Sequence, residues 1–302
     1  MANYLFQDQH LSSNFTYLNF SKDLIKKYYN MKYTWYCVCF LLGFCHSTLA
    51  NNPEALHKKA DDYYQHRKFD SAIFYYQKAL RRHESDDFEQ IVKTRNEISK
   101  VFLSSRQFNK AEPFLRETQQ LAENHLEATH TELINLFNQL GRYTWFHGQF
   151  TKGLEYLVKA KSIYFANQAN NPEQLMTIYA NFGFAHGYSG AIDSSLYYFQ
   201  ESIALAKQLE NPLKVADRYS DLSFAHMQKG DYESALEIMQ QSLAINKKHL
   251  PSNHYSLGKN YNNLTYITIE LWDHDLAIRY ANEALKIIEQ NEGLDSYSAA
   301  IA

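Results

Sequence analysis

The feature that most constrains this chain is a small residue that returns at nearly constant spacing within a helical pattern. Successive copies are 39, 42, 42, 40 and 42 residues apart. An aliphatic or aromatic residue follows four places later, and a small or polar residue follows seven places later, which places all three on one stripe of a helix. The six repeated positions are Ala72, Ala111, Gly153, Ser195, Ala235 and Ala277.

A second helical pattern precedes each of these positions by about twelve residues. Small residues on both helices would allow a close crossing, and large neighbours would fill the remaining space. Each unit is therefore predicted to be a helical hairpin. Prolines that would start or stop a helix fall at the junctions between units, at Pro172, Pro212 and Pro251. The small residues of the first helix include Ala60, Gly141, Gly183 and Ser223.

This pattern resembles the tetratricopeptide repeat, in which an aromatic residue, Leu-Gly, Tyr, Ala, Phe and Ala recur in that order. The resemblance covers residues 53 to about 290, with Thr118 in place of the late Ala of the second copy and Trp272 in place of the sixth turn Gly. The long period is similar to that of kinesin-light-chain-like arrays and of arrays in bacterial sensory and CHAT-associated proteins. The resemblance implies an all-α fold, a right-handed α-α superhelix of about six helical hairpins.

Three segments are expected along the chain. Residues 1–50 form an N-terminal extension with a signal peptide or signal anchor, and residues 51–292 form one solenoid of about six repeats. Residues 293–302 match the opening of the sixth unit and are interpreted as the start of an interrupted seventh repeat. We therefore interpret the sequence as a truncated product or a fragment of a longer protein.

The N-terminal extension contains an apolar stretch at residues 33–45, preceded by Lys26, Lys27 and Lys32. A membrane span needs about 20 apolar residues, so this shorter stretch is more typical of a secretory signal. Cleavage after Ala50 would give an exported protein in the periplasm or the extracellular space, and Met31 is an alternative start. The competing interpretation is an uncleaved anchor that holds the protein in the membrane through residues 33–50.

The charge of the body argues against nucleic acid as a partner. The first fifty residues hold four Lys and two Asp, which leaves 26 basic and 31 acidic side chains in the remainder. A nucleic-acid-binding surface is usually strongly basic. We therefore expect a protein or peptide partner, no nucleic acid, and membrane contact only through the N-terminal segment.

No sequence motif of an enzyme or a metal site is present. The sequence lacks HExxH, CxxC, Walker, GxSxG and dinucleotide-binding patterns, so we expect no catalysis, no cofactor and no metal. The glycines between Gly183 and Gly190 fall at helix-crossing and turn positions and are predicted to serve packing. His186 and His226 occupy the same position in successive repeats and are predicted to pack between helices.

The resemblance also implies that the first helix of each hairpin lines a concave groove. Asn amides can donate to and accept from the backbone of an extended peptide, and aromatic rings offer flat apolar contact. By register, the candidate binding residues are Asn138, Arg142, Trp145, Asn181, Phe184, Asp221, Phe224, Asn262, Asn263 and Tyr266.

Two functions follow from this interpretation. The first is a protein–protein interaction scaffold that binds a peptide or protein in the groove. The alternative is the sensory or regulatory portion of a longer signalling protein. In that case a histidine kinase, transcriptional regulator or CHAT peptidase domain would lie beyond residue 302.

Overall fold

The computed structural model describes residues 52–291, and every regular element in this range is an α-helix, which confirms the predicted all-α class. The predicted N-terminal targeting segment and the interrupted seventh repeat lie outside the described residues. The helices are α1 Pro53–Gln65, α2 Phe69–Leu80, α3 Phe88–Ser104, α4 Phe108–His125, α5 Thr131–Phe146, α6 Phe150–Ala166, α7 Pro172–Tyr188, α8 Ile192–Gln208, α9 Pro212–Lys229, α10 Tyr232–His249, α11 Tyr255–Glu270 and α12 His274–Asn291.

Consecutive helices pair into six hairpins, numbered here from hairpin 1 (α1 and α2) to hairpin 6 (α11 and α12). A short turn joins the two helices of each hairpin, and each turn contains one residue with positive φ. Glycine adopts this backbone at the lowest cost because it has no Cβ. Three of the six turns nevertheless place a larger side chain there. The six turn residues are Arg67, Arg106, Gly148, Gly190, Gly230 and Trp272.

The starts of several first helices are fixed by side-chain caps. Asn171 and Asn211 each accept a hydrogen bond from a backbone N–H in the first turn, as Asn52 does at α1. Proline then occupies the first helical position, where its missing N–H costs nothing. Pro172 and Pro212 therefore begin helices at the hairpin junctions, as predicted from the sequence.

The predicted small residues lie where the two helices of a hairpin cross. Ala72, Ala111, Ser195 and Ala235 have no exposed surface. A Cβ built on Gly183 would lie 2.6 Å from the Phe199 ring. The crossing therefore requires small residues on both helices, which confirms the predicted reason for their recurrence.

The array divides into two compact units after His83. The predicted extent of one solenoid over residues 51–292 stays a prediction. A polar connection at residues 81–87 marks the division. In unit 1, formed by hairpin 1, the fully buried Tyr76 donates a hydrogen bond to the carboxylate of Asp61. Hairpins 2 to 6 form unit 2, which carries all the candidate groove residues.

Within unit 2 the two kinds of helix pack differently. The first helices α3, α5, α7 and α9 contact one another in a continuous row. Each second helix packs against its own partner and against the first helix of the next hairpin. This arrangement buries apolar side chains between successive hairpins. The surface that carries the first helices of unit 2, α3, α5, α7, α9 and α11, is called here the inner face.

Candidate protein-binding groove

The inner face of unit 2 carries all ten residues predicted for the groove. They come from four first helices, and their exposure differs widely. Asn138, Trp145, Asn181 and Asp221 are buried, while Tyr266 is 48% exposed. Those that are partly exposed are Arg142, Phe184, Phe224, Asn262 and Asn263.

Two of the predicted asparagines bond to each other across neighbouring hairpins. The Asn181 amide donates a hydrogen bond of 2.8 Å from Nδ2 to Oδ1 of Asn138. This bond links α5 to α7 and fixes the orientation of both amides. The remaining oxygen of Asn181 and the remaining nitrogen of Asn138 are then the groups these amides have left for a ligand.

Asp221 lies further along the same face, on α9. Its Oδ2 is 3.0 Å from Nη2 of Arg218, which allows ion-pair attraction, although the two atoms are not aligned for a hydrogen bond. Burial raises the pKa of the Asp221 carboxyl above its usual value, and the positive charges of Arg218, Lys259 and Arg142 oppose that rise. Cationic side chains from three first helices therefore act on one buried carboxyl group.

The predicted aromatic residues of α5, α7 and α9 form a continuous stack. The Trp145 ring is 5.5 Å from the Phe184 ring, with an angle of 16° between their planes. Phe184 lies 5.4 Å from Phe224 in turn. Aromatic pairs at these separations stabilise one another beyond the area that they bury. The row of first helices thus holds a continuous apolar surface next to its polar groups.

Several buried polar atoms on the inner face have no hydrogen-bond partner. Buried donors and acceptors are satisfied in more than nine cases out of ten, so each exception needs an explanation. Within residues 52–291 there are six such side-chain atoms, and all six lie on first helices of unit 2. They belong to Asn96, Gln139, Trp145, Arg218, Asp221 and Asn262.

Comparison with protein families decides what these hairpins are. Family profiles of the tetratricopeptide repeat match residues 53–86, which span hairpin 1, and residues 215–256, which span hairpin 5. The chain contains tetratricopeptide repeats. None of the curated proteins compared with this tetratricopeptide-repeat chain matches it.

Solved structures share the fold of this tetratricopeptide-repeat protein. BtubC (BKLC) from P. vanneervenii is 17% identical with a TM-score of 0.55, over 79% of this chain and 93% of that chain. A Rap protein complexed with competence and sporulation factor is 15% identical with a TM-score of 0.59, over 80% and 78%. A STAND protein with a tetratricopeptide repeat sensor, PH0952 from Pyrococcus horikoshii, is 18% identical with a TM-score of 0.57, over 82% and 37%.

Sequence reasoning missed two aromatic residues of the inner face. Phe146 and Tyr188 end α5 and α7 and are 44% and 48% exposed. Tyr188 follows Phe184 by four residues, so it lies on the same side of α7. That four-residue spacing could have predicted Tyr188 from the sequence. With these two residues, the aromatic surface reaches the ends of α5 and α7.

In the part of the chain that the structure describes, no three His, Cys, Asp or Glu side chains are placed to hold a metal ion. None of the helices between residues 52 and 291 has the length and apolar character needed to cross a bilayer.

Proposed function

We propose that unit 2 binds a segment of another protein along its inner face and carries out no chemistry of its own. The observation that supports this is the location of the unpartnered polar atoms, all of which lie on the first helices. An unsatisfied buried polar group costs about 1–3 kcal/mol. Proteins usually retain such unsatisfied polar groups where function requires them.

The character of the inner face also fits a protein ligand. Amides of Asn138, Asn181 and Asn262 can pair with the backbone of a peptide, and the stacked rings offer apolar contact. In interfaces, aromatic and Arg side chains supply most of the binding free energy. The predicted groove contains one Arg and four aromatic residues: Arg142, Trp145, Phe184, Phe224 and Tyr266.

A second function is favoured by the neighbouring structures. One of them is described as a sensor in a signal-transduction ATPase, and another is complexed with competence and sporulation factor. By analogy, the array would be the sensory portion of a longer signalling protein. Sequencing the gene beyond codon 302 would test this alternative, since it requires an in-frame output domain.

The binding proposal predicts which surface a partner needs. The full chain, immobilised, would be used to capture partners from its native source, with Asn181, Asn262 and Asn263 replaced together by Ala. We expect the triple variant to lose the partners that the unchanged chain retains, because it lacks amide groups of α7 and α11 on the inner face.

A matched control replaces three exposed amides of the second helices, Gln241, Asn282 and Gln290, by Ala. This control should retain all partners, and circular dichroism should show that both variants keep their helices. Unchanged capture by the inner-face variant would show that the binding surface lies elsewhere.

A further inference from the structure

Side-chain amides join the first helices of unit 2 to one another. Nε2 of Gln139 on α5 donates a hydrogen bond of 3.0 Å to the carbonyl of Asn96 on α3. Nδ2 of Asn181 on α7 donates one of 2.8 Å to Oδ1 of Asn138 on α5. At both steps, an amide of the later helix bonds to a residue of the earlier helix. We call these two bonds the amide ladder.

The amide ladder follows the register of the repeats. Ala180 is 42 residues after Asn138, and Asp221 is 40 residues after Asn181. These are also the spacings of the small crossing residues in the same hairpins. The pair at the next step of the ladder, between α7 and α9, is therefore Ala180 and Asp221.

The amide ladder is interrupted at this pair. Alanine has no polar side-chain atom, and an ionised carboxylate accepts hydrogen bonds but cannot donate one. Ala180 and Asp221 are 4% and 6% exposed. Within residues 52–291, Oδ2 of Asp221 is buried and has no hydrogen-bond partner. This step thus holds a buried, unused acceptor where the two earlier steps have a bond.

An unused donor lies beside this acceptor. Nη2 of Arg218 is 3.0 Å from Oδ2 of Asp221. Nε belongs to the same planar guanidinium group, and it too is buried without a hydrogen-bond partner in the described part of the chain. Buried polar atoms normally have partners, so a neighbouring donor and acceptor that are both unused indicate a ligand that supplies both.

A carboxamide has the chemistry that these two atoms lack. It carries an N–H donor and a C=O acceptor next to each other. The N–H can donate to Oδ2 of Asp221, and the C=O can accept from Nε of Arg218. A cationic side chain fits less well, because Arg218 already supplies the counter-charge of this carboxylate.

We propose that Asp221 binds the carboxamide of an Asn or Gln side chain from the partner, in the place left open by the short side chain of Ala180. This rests on the proposed function, in which the inner face binds a segment of another protein. The Arg218 side chain is the more exposed of the pair and turns to admit the amide. A partner without the amide would leave both buried groups unpaired, so this contact selects for it.

The test uses a phage-displayed library of short random peptides, selected on the full chain. Retained peptides are synthesised with fluorescein, and their binding is followed by anisotropy. We expect the peptides that need the inner face to share an Asn or Gln at one position. Replacing it by Ala should weaken binding about tenfold, because a hydrogen bond to a buried charged group is lost. The corresponding acid should weaken binding further, since it would place two carboxylates together.

Two variants of nearly equal volume test the open place itself. Ala180→Asn can donate to Asp221 from within the chain, whereas Ala180→Leu cannot. The Asn variant should therefore unfold at a higher temperature than the Leu variant. Both should weaken binding of the selected peptides about tenfold, because each fills the place of the ligand. Ala204→Asn, at an exposed position on α8, is the control and should leave binding unchanged.

Three results would overturn the proposal. They are equal binding when the shared amide residue is replaced by Ala, selection of Lys or Arg at that position, and an Ala180→Asn variant no more stable than Ala180→Leu. Failure of the proposed function looks different. If the triple Asn variant loses the selected peptides but no amide is required, only the role of Asp221 is wrong. If the triple variant retains every selected peptide, both proposals fail.

Discussion

Hairpins 4 and 5 achieve the same helix crossing with the polar group on opposite helices. In hairpin 4, Ser195 on the second helix donates a hydrogen bond of 2.7 Å to the carbonyl of Gly183 on the first. In hairpin 5, Ser223 on the first helix donates one of 2.8 Å to the carbonyl of Ala235 on the second. In both of these hairpins two small residues meet at the crossing and one hydroxyl donates across it, and either helix can supply that donor.

The side chain packed over the crossing explains why the two arrangements differ. Phe199 covers Gly183 in hairpin 4, and its ring occupies the space that a Cβ at position 183 would need. Met239, four residues after Ala235, holds the corresponding place in hairpin 5, where it is fully buried and contacts the Ser220 hydroxyl. A flexible thioether adapts to its neighbours better than a planar ring.

The same two hairpins differ at the start of their second helix. Asp231 caps α10 through the backbone N–H of Ser234 and also lies 3.0 Å from His226. Ala191 occupies that place before α8 and provides no cap, and His186 instead stacks on Tyr198 with ring centroids 5.4 Å apart. Both histidines are thus packed, as predicted, but each has a different partner.

The largest effect on stability is expected when Gly183 of hairpin 4 is replaced by serine, the residue at the corresponding position of hairpin 5. Gly183→Ser should lower the free energy of unfolding by about 1–3 kcal/mol, because it overpacks a site with no free volume. Adding Phe199→Met should recover much of this loss, since the pair then matches Ser223 and Met239. Urea unfolding of the two single variants and the double variant measures the coupling.

The control is Phe199→Met alone, which should cost less than the overpacked variant because it nearly conserves volume. The loss of unfolding free energy in the double variant could equal the sum of the losses in the two single variants. In that case the ring of Phe199 would not be the reason for glycine at position 183.

A smaller effect is expected from exchanging the caps. Asp231→Ala should destabilise the protein by about 1 kcal/mol at neutral pH, because the Ser234 N–H loses its acceptor. Ala191→Asp should stabilise it, since Ser194 holds the place of Ser234 and the two cap residues have similar backbone angles, φ −83° and ψ 65° against φ −89° and ψ 71°. Thermal unfolding of each variant measures both changes.

The cap of hairpin 5 should also depend on pH. Hydrogen bonds from Ser234 and His226 hold the pKa of Asp231 below its usual value of 3.8. The contribution of Asp231 to stability is therefore fully present above pH 3.8, and it is lost as the pH falls through the lower pKa of the folded state. The difference between the unchanged chain and Asp231→Ala should shrink in that acidic range, and a constant difference would contradict the role of the charge.

The sequence was sufficient to predict the hairpins because the signals for them are local. The small residues, the prolines at Pro172 and Pro212 and the glycines at the turns act within one or two helical turns. Their spacing therefore carried directly into the structure. Even Trp272, which stands in place of the sixth turn glycine, has a positive φ.

The candidate groove was harder to predict because its contacts join residues far apart in the chain. Register placed Asn138 and Asn181 on the inner face, but it could not show that one amide bonds to the other. It also could not show that Trp145, at 6% exposure, lies beneath Tyr188 and Phe184. Which groups contact a partner stays a prediction for the variants described above.

The smallest effect concerns the histidine of hairpin 4. Burial lowers the pKa of His186 below its usual value of 6.5, so the folded state keeps the ring neutral while the unfolded chain takes up a proton. Stability should therefore fall as the pH drops below 6.5 toward the folded pKa. His186→Gln should remove this part of the slope, whereas His249→Gln, at an exposed position on α10, should not. Unfolding at about pH 5 and about pH 7.5 would measure it, and identical slopes for the unchanged chain and His186→Gln would show that the stacked ring does not titrate differently on folding.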